Sequence, residues 1–468
     1  MSVILLHKAT VVTGEKEDVG SILIVEDRIS DVYYTENEDF DARIEEASER
    51  YEDIEIWNLE GKYVMAGGID AHVHFREPGL THKADIGTES RAAVAGGVTS
   101  VIDMPNTKPA TVTAEALKDK LDSVQDRPMA NIGFHIGATN ENLEEIRSLV
   151  AYGKPEIGLK ASQIAGVKVF MGSSTGNMLV DDSAAISGLF GIKEKPVAVH
   201  CEDEATIKAS LAAAVEKYGE DIPFSEHENI RSRRACIKST IKAMEMAIKN
   251  RTRLTLCHIS TKEELEMVRA AKLSNPDIIA ETSCNYLWFS DEDYERLGSR
   301  LKCNPSVKTP ADRKALREGL CNGLIDTIGS DHAPHLPSEK EGKYCNVPSG
   351  LPSIQQSLPV LLTIAAEEDI PLTRIASVFS EKASEIYGLK RGRIRYGYAA
   401  DLVIFDKDKE FTVRAEDQYS KCGWTPYEGE KLKGYIEAVL VNGKTAYRNG
   451  QMAENGTGRL LEFKGLDR

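Results

Sequence analysis

The hydrophobic pattern changes twice along the chain. Up to about residue 57 the apolar positions fall in short runs, VILLHKATVVTG, SILIVEDRISDVYY and IEIWNL, which turn residues separate and which predict strands. An acidic stretch from Glu36 to Glu55 lies between them and reads as a solvated face. From Val64 the pattern becomes an apolar run, a loop and a helical stretch, repeated in series. The runs are VMAGGIDAHVHF, VTSVIDMPN, ANIGFHIGAT, AGVKVFMG, PVAVHCED, RLTLCHIS, DIIAETSCNYL and DTIGSDHAPH. Most are continuously apolar, as strands of a parallel sheet must be when both faces are buried.

Helix starts are legible between these runs. Thr261 to Glu264 spells a capping box, and Thr309-Pro310 sets a capping hydroxyl before a proline at the first helical position. Eight strand-helix units in order predict an α/β fold, a (β/α)8 TIM-type barrel. After about residue 386 the strand pattern returns, with Asn442-Gly443 as a hairpin turn. The expected organisation is a barrel over 58–385 and a small β-sandwich domain built from both termini, 1–57 plus 386–468.

The formal net charge of -16 and pI near 5.3 argue against nucleic acid and anionic membranes as partners. An anionic ligand would need Arg or Lys placed locally. The first apolar run is too short for a signal peptide and is interrupted by His7 and Lys8. No run reaches the length of a membrane span, so a soluble, cytoplasmic protein is expected. The eight cysteines show no CxxC spacing and read as reduced, mostly buried thiols.

The chemistry lies at the strands' C-terminal ends, where barrels place it. His72 and His74 are two apart and project to one side of a strand, which makes half a metal site. Lys168 sits in the middle of an apolar strand, so it is either paired with an acid or carbamylated to an anion that bridges two metals. His200, His258 and Asp331 end three further strands. A mixed His/Asp set with one bridging group suits two zinc ions about 3.5–4 Å apart sharing a hydroxide. His135 reads as a core histidine and His332 as structural, facing away from Asp331. His7, His82 and His227 have no supporting context.

GGIDAHVHFREPG, DMPNT, GVKVFMG, VAVHCED, CHIS and GSDHAPH occur here in the order found in the amidohydrolase superfamily. Over essentially the whole chain the sequence resembles that superfamily, and HFREPG followed by MPNT resembles its dihydroorotases. The resemblance implies that His72, His74 and Asp331 bind a first metal and His200 and His258 a second, with carbamylated Lys168 bridging. It implies Asp331 as general acid and base, and Arg76, Asn106 and His335 as contacts to a substrate carboxylate. Asn304 and the Pro348–Leu351 backbone would hold the ring. Asp181 and Asp182, which follow Lys168, remain alternative bridging groups, and Asn285 stands where relatives often have a histidine.

The implied reaction is the reversible cyclisation of N-carbamoyl-L-aspartate to L-dihydroorotate in de novo pyrimidine synthesis, by a homodimer acting on a small molecule. Allantoinase or hydantoinase activity is the nearest alternative; those substrates lack the ring carboxylate. An inactive barrel serving as the structural partner of a carbamoyltransferase is a further one, against which the complete ligand set argues.

Overall fold

The computed structural model describes residues 1–37, 39–172 and 178–464. Eight parallel strands follow one another in sequence order: β1 (Gly68–Val73), β2 (Val98–Asp103), β3 (Asn131–Gly137), β4 (Ile164–Phe170), β5 (Val197–His200), β6 (Leu254–Leu256), β7 (Ile278–Thr282) and β8 (Thr327–Ile328). The ring closes just beyond β8. Val73 bridges His332 in parallel, and His74 N donates to His332 O at 2.8 Å. The Asp70 carboxylate reinforces the seam, accepting from His72 N at 3.0 Å and Ser330 N at 3.2 Å. Both predicted helix starts are present: Thr261 Oγ1 accepts from Glu264 N at 3.2 Å, and the Thr309 box opens helix Pro310–Cys321.

Two runs differ from their sequence reading. The stretch from Val64 is not one strand. It divides at Gly67, where Tyr63–Ala66 joins the terminal sheet and Gly68–Val73 opens the barrel. A β-carbon on Gly67 would lie 2.2 Å from Thr99 Cγ2, so only glycine lets the chain cross here. The run DIIAETSCNYL is a strand only to Thr282; Ser283 Oγ then accepts from Asn285 N at 3.2 Å and starts helix Cys284–Trp288.

The terminal sheet has nine strands drawn from both chain ends. Tyr63–Ala66 pairs with Val3–Val12 on one side and Leu402–Thr412 on the other. Leu6, Val11, Ile22, Ile24, Ile404 and Leu440 share its core. Asn442 and Gly443, with φ of 52° and 72°, make the tight turn between Lys431–Val441 and Lys444–Arg448. The acidic stretch contains helix Phe40–Arg50, largely solvated.

The last described segment lies across the base of the barrel. Leu461 N donates to Ile132 O at 2.8 Å and Phe463 N to Ser162 O at 2.6 Å. Leu461 and Phe463 are buried among Ile69, Ile102, Ala165 and Tyr387. All eight cysteines are free, and only Cys321 and Cys345 are exposed. Among the described residues no helix is long and apolar enough to cross a membrane.

Candidate metal centre and substrate pocket

Strand ends bring the ligand-type residues together at the top of the barrel. β1 carries His72 and is followed directly by His74; β4 carries Lys168, and β5 ends in His200. His258 and Asp331 stand just past β6 and β8, in left-handed backbone with φ of 41° and 50°. Arg76 shares that conformation at 67°. Such residues cost on the order of 1–3 kcal/mol each, which the surrounding structure must offset.

These residues, with Asn106, Asn304 and His335, line one cavity of about 320 Å³, closed on one side by Pro348, Ser349 and Gly350. Buried Lys340 holds that wall, donating to Pro348 O at 2.9 Å and Gly350 O at 3.1 Å. Burial pushes the Lys340 ammonium down to about 7.

Each of three imidazoles is oriented from behind. His72 Nδ1 donates to Glu281 Oε1 at 2.7 Å, and His74 Nδ1 to Asn106 Oδ1 at 2.7 Å. His200 Nε2 donates to Glu202 Oε2 at 2.9 Å, and Arg231 holds Glu202 through two further bonds. Burial raises the Glu281 carboxyl to about 7. It would raise Glu202 too, but the Arg231 guanidinium outweighs it and holds that carboxyl well below its usual range.

With His72 Nδ1 and His200 Nε2 donating outward, the inward nitrogens of these two neutral rings, His72 Nε2 and His200 Nδ1, are unprotonated. His72 Nε2 and His74 Nε2 lie 3.5 and 3.0 Å from Asp331 Oδ1, and His200 Nδ1 lies 2.9 Å from His258 Nε2. Burial keeps His72, His200 and His258 below the ordinary histidine range, hence neutral, the state a metal ligand requires. His72 Nε2 thus faces the Asp331 carboxylate lone pair to lone pair, a repulsion that a cation between them would relieve. His72, His74 and Asp331 place ligand atoms within 4.8 Å of one another. The donor set fits divalent metal.

Lys168 is fully buried and donates to Cys257 Sγ at 3.0 Å. Among the described residues it has no acidic partner within ion-pair distance, so the paired-lysine alternative does not hold. Asp181 bonds Asn140 at the surface and Asp182 caps helix Ser183–Phe190, so neither is a bridging group. His72, Cys257 and Glu281 also cluster within ligand range. Burial pushes the Cys257 thiol up to about 12, and a neutral thiol is a poor ligand.

The other side of the cavity is cationic. Arg76 is buried; its Nε donates to Pro334 O at 3.2 Å, and no acidic side chain among the described residues pairs with it. Lys83, whose ammonium can only donate, reaches His335 Nδ1 at 3.0 Å and Glu339 Oε1 at 3.0 Å. His335 Nε2 must then carry the proton, which Ser349 O accepts at 3.1 Å. Burial and then Arg76 hold the His335 ring well below its usual range, so it is neutral. Arg76 Nη2, 3.1 Å from the same Nε2, faces a second donor. Asn304 Oδ1 is buried at the cavity with no hydrogen-bond partner.

The remaining histidines and Asn285 lie elsewhere. His332 Nε2 bonds Glu89 at 2.7 Å and its Nδ1 accepts from Ser353 N at 3.1 Å. His135 is buried edge-on to Tyr387, and His227 bonds Tyr344 and Cys303 O. Asn285 is held by Tyr427 and Ser330, outside the cavity lining. Glu281, Glu202, Arg231 and Lys83 are site partners the sequence reading missed. Glu281, an acid inside an apolar run, gave the same signal as Lys168; the other three had none.

A family model described as "Amidohydrolase family" matches residues 63–446. The chain is 33% identical to a dihydroorotase of Methanosarcina acetivorans over 423 residues, covering 88% of this chain and 87% of that protein. It is 32% identical to an allantoinase of Desulfitobacterium hafniense over 415 residues, 87% and 90% of the two chains. The solved L-hydantoinase (dihydropyrimidinase) from Arthrobacter aurescens is similar with a TM-score of 0.89 and 25% identity, over 99% of this chain and 100% of that one. Barrel, strand-end ligand set, whole-domain match and one-third identity agree: the chain belongs to the amidohydrolase family.

Proposed function

We propose that this protein is a dihydroorotase, interconverting N-carbamoyl-L-aspartate and L-dihydroorotate. The observation that carries the substrate is Arg76. A buried guanidinium with no acidic partner is costly, and its neighbour His335 offers it another donor rather than an acceptor. A substrate carboxylate would satisfy both groups with charge-assisted bonds. The amide nitrogen of Asn106, whose oxygen His74 occupies, supplies a third donor. Unpartnered Asn304 Oδ1 offers an acceptor to a ring N–H. Neutral cyclic amides such as hydantoin ask for the metal centre and leave Arg76 uncompensated.

His72, His74 and Asp331 would hold one zinc ion and His200 and His258 a second, with Lys168 as its carbamate contacting both. When bound, the ions supply Lewis acidity and a hydroxide at neutral pH. Asp331, as its carboxylate, would take the proton of that hydroxide as it attacks the ring amide and return it to the departing ring nitrogen. Arg76 and His335 fix the ring by its carboxylate, so that the scissile amide meets Asp331 in one orientation.

The test is hydrolysis of dihydroorotate, hydantoin and allantoin by the purified protein, with metal analysis of the same sample. Turnover confined to dihydroorotate, with two zinc ions per chain, is expected. Arg76→Ala should lower kcat/KM on dihydroorotate about hundredfold or more, chiefly through KM. Turnover of hydantoin or allantoin instead, or an unchanged Arg76→Ala enzyme, overturns the substrate assignment.

A further inference from the structure

At the end of the barrel opposite the metal centre, the loops leading into β4, β5 and β6 enclose a second cavity, of about 460 Å³. Five cationic side chains line it, Lys193, Lys195, Arg251, Arg253 and Lys464, against a single acid, Glu194. In a chain of net charge -16 this reverses the background, and such a concentration of one sign attracts an anion. Lys195 is 5% exposed; among the described residues its ammonium donates to Phe463 O at 3.2 Å and lies 5.9 Å from the Phe463 ring centroid. No carboxylate among the described residues lies within ion-pair distance of it. Burial, then Arg253, pushes its pKa down to about 8, as expected of a buried ammonium with a carbonyl and a ring but no described carboxylate beside it.

The cationic loops are also tied to one another. Lys193 Nζ donates to Arg251 O at 3.0 Å and Arg253 Nη2 to Lys193 O at 3.0 Å. This fixes the backbone that presents Arg251 and Lys195. Val150, Ala151 and Phe463 supply an apolar wall beside them. The volume lies in the range of small-molecule sites and is larger than a lone inorganic ion needs.

We infer that this cavity binds a phosphomonoester of about nucleotide size, with its phosphate on Lys195 and Arg251 and its organic part against Val150, Ala151 and Phe463. A dianion offsets several cations at once, and its three terminal oxygens accept from donors arriving along separate directions, which one carboxylate does less well. The site stands apart from the catalytic cavity and does not depend on which cyclic amide is hydrolysed there.

The experiment is calorimetric titration of the full-length, metal-loaded protein with AMP and glucose 6-phosphate at constant ionic strength. Adenosine, glucose and citrate serve as controls. Saturable binding of a phosphate ester at one site per chain is expected, with neither adenosine nor glucose binding. Lys195→Met should weaken it at least about tenfold. Arg251→Glu, at an exposed position, should weaken it as much and answers for a Lys195 variant that fails to fold. The inference falls if neither ester binds, if citrate binds equally well, or if Arg251→Glu leaves affinity intact. It also falls if binding appears only in a chain ended at Lys464, because the cations would then serve the chain's own carboxylates.

Discussion

Glu281 shows how one buried acid governs a ligand it does not replace. Its Oε1 accepts a hydrogen bond from His72 Nδ1, fixing both the tautomer and the ring plane that turn Nε2 inward. Glu281→Gln keeps the size and removes the strong acceptor. It should lower metal affinity about 10–100-fold, read by competition with a chelator, while the fold stays intact by circular dichroism. Unchanged metal retention would show that strand β1 alone orients His72. This residue also marks how far the site could be read from the chain. His72, His74, Lys168, His200, His258 and Asp331 stand out because each is polar within or just after an apolar run. Lys83 and Arg231 come from loops and a helix boundary, where charge is ordinary. Only the fold makes partners of Lys83 and His335, 252 residues apart.

At the scale of elements, Asp312 joins three helices. It completes the capping box of Pro310–Cys321, pairs with Arg233 at the start of helix Arg233–Asn250, and accepts from Lys262 N at the start of helix Lys262–Lys272. Burial raises its carboxyl, but Thr309 and Arg233 outweigh this and leave it below the ordinary value. Asp312→Ala should cost about 2–3 kcal/mol, seen as a lower thermal midpoint with kcat unchanged. A carboxyl whose folded pKa is depressed stabilises fully above its unfolded value near 4 and loses that contribution as pH falls through the folded one. The gap between wild type and variant should therefore close below about pH 4. A gap that persists in acid would assign the loss to packing. The box itself was legible as Thr309-Pro310. The division at Gly67 was not, because an unbroken apolar run carries no mark of which sheet each half joins.

For the molecule as a whole, the barrel depends on the far end of the chain. Phe463 fills the space over Gly133, where a β-carbon would sit 2.3 Å from its ring. Phe463→Ala should destabilise by about 3–4 kcal/mol through the cavity it leaves at the base. Thermal unfolding measures this, and a midpoint within a degree of wild type would show that the segment merely rests on the barrel. Strand-helix alternation predicted the barrel correctly, since that order is written locally. The capping of its base by residues 459–463 was not legible, because LLEF has the appearance of any short terminal strand.

The placement of Tyr63–Ala66 between Val3–Val12 and Leu402–Thr412 has a consequence for synthesis. The ribosome delivers one edge of that strand's pairing almost at once and withholds the other for about 340 residues. At ordinary elongation rates the nascent sheet waits roughly 20–70 s with a bare hydrogen-bonding edge, while the whole barrel emerges behind it. During that interval this bare edge is open to chaperones and to pairing with a neighbouring polypeptide.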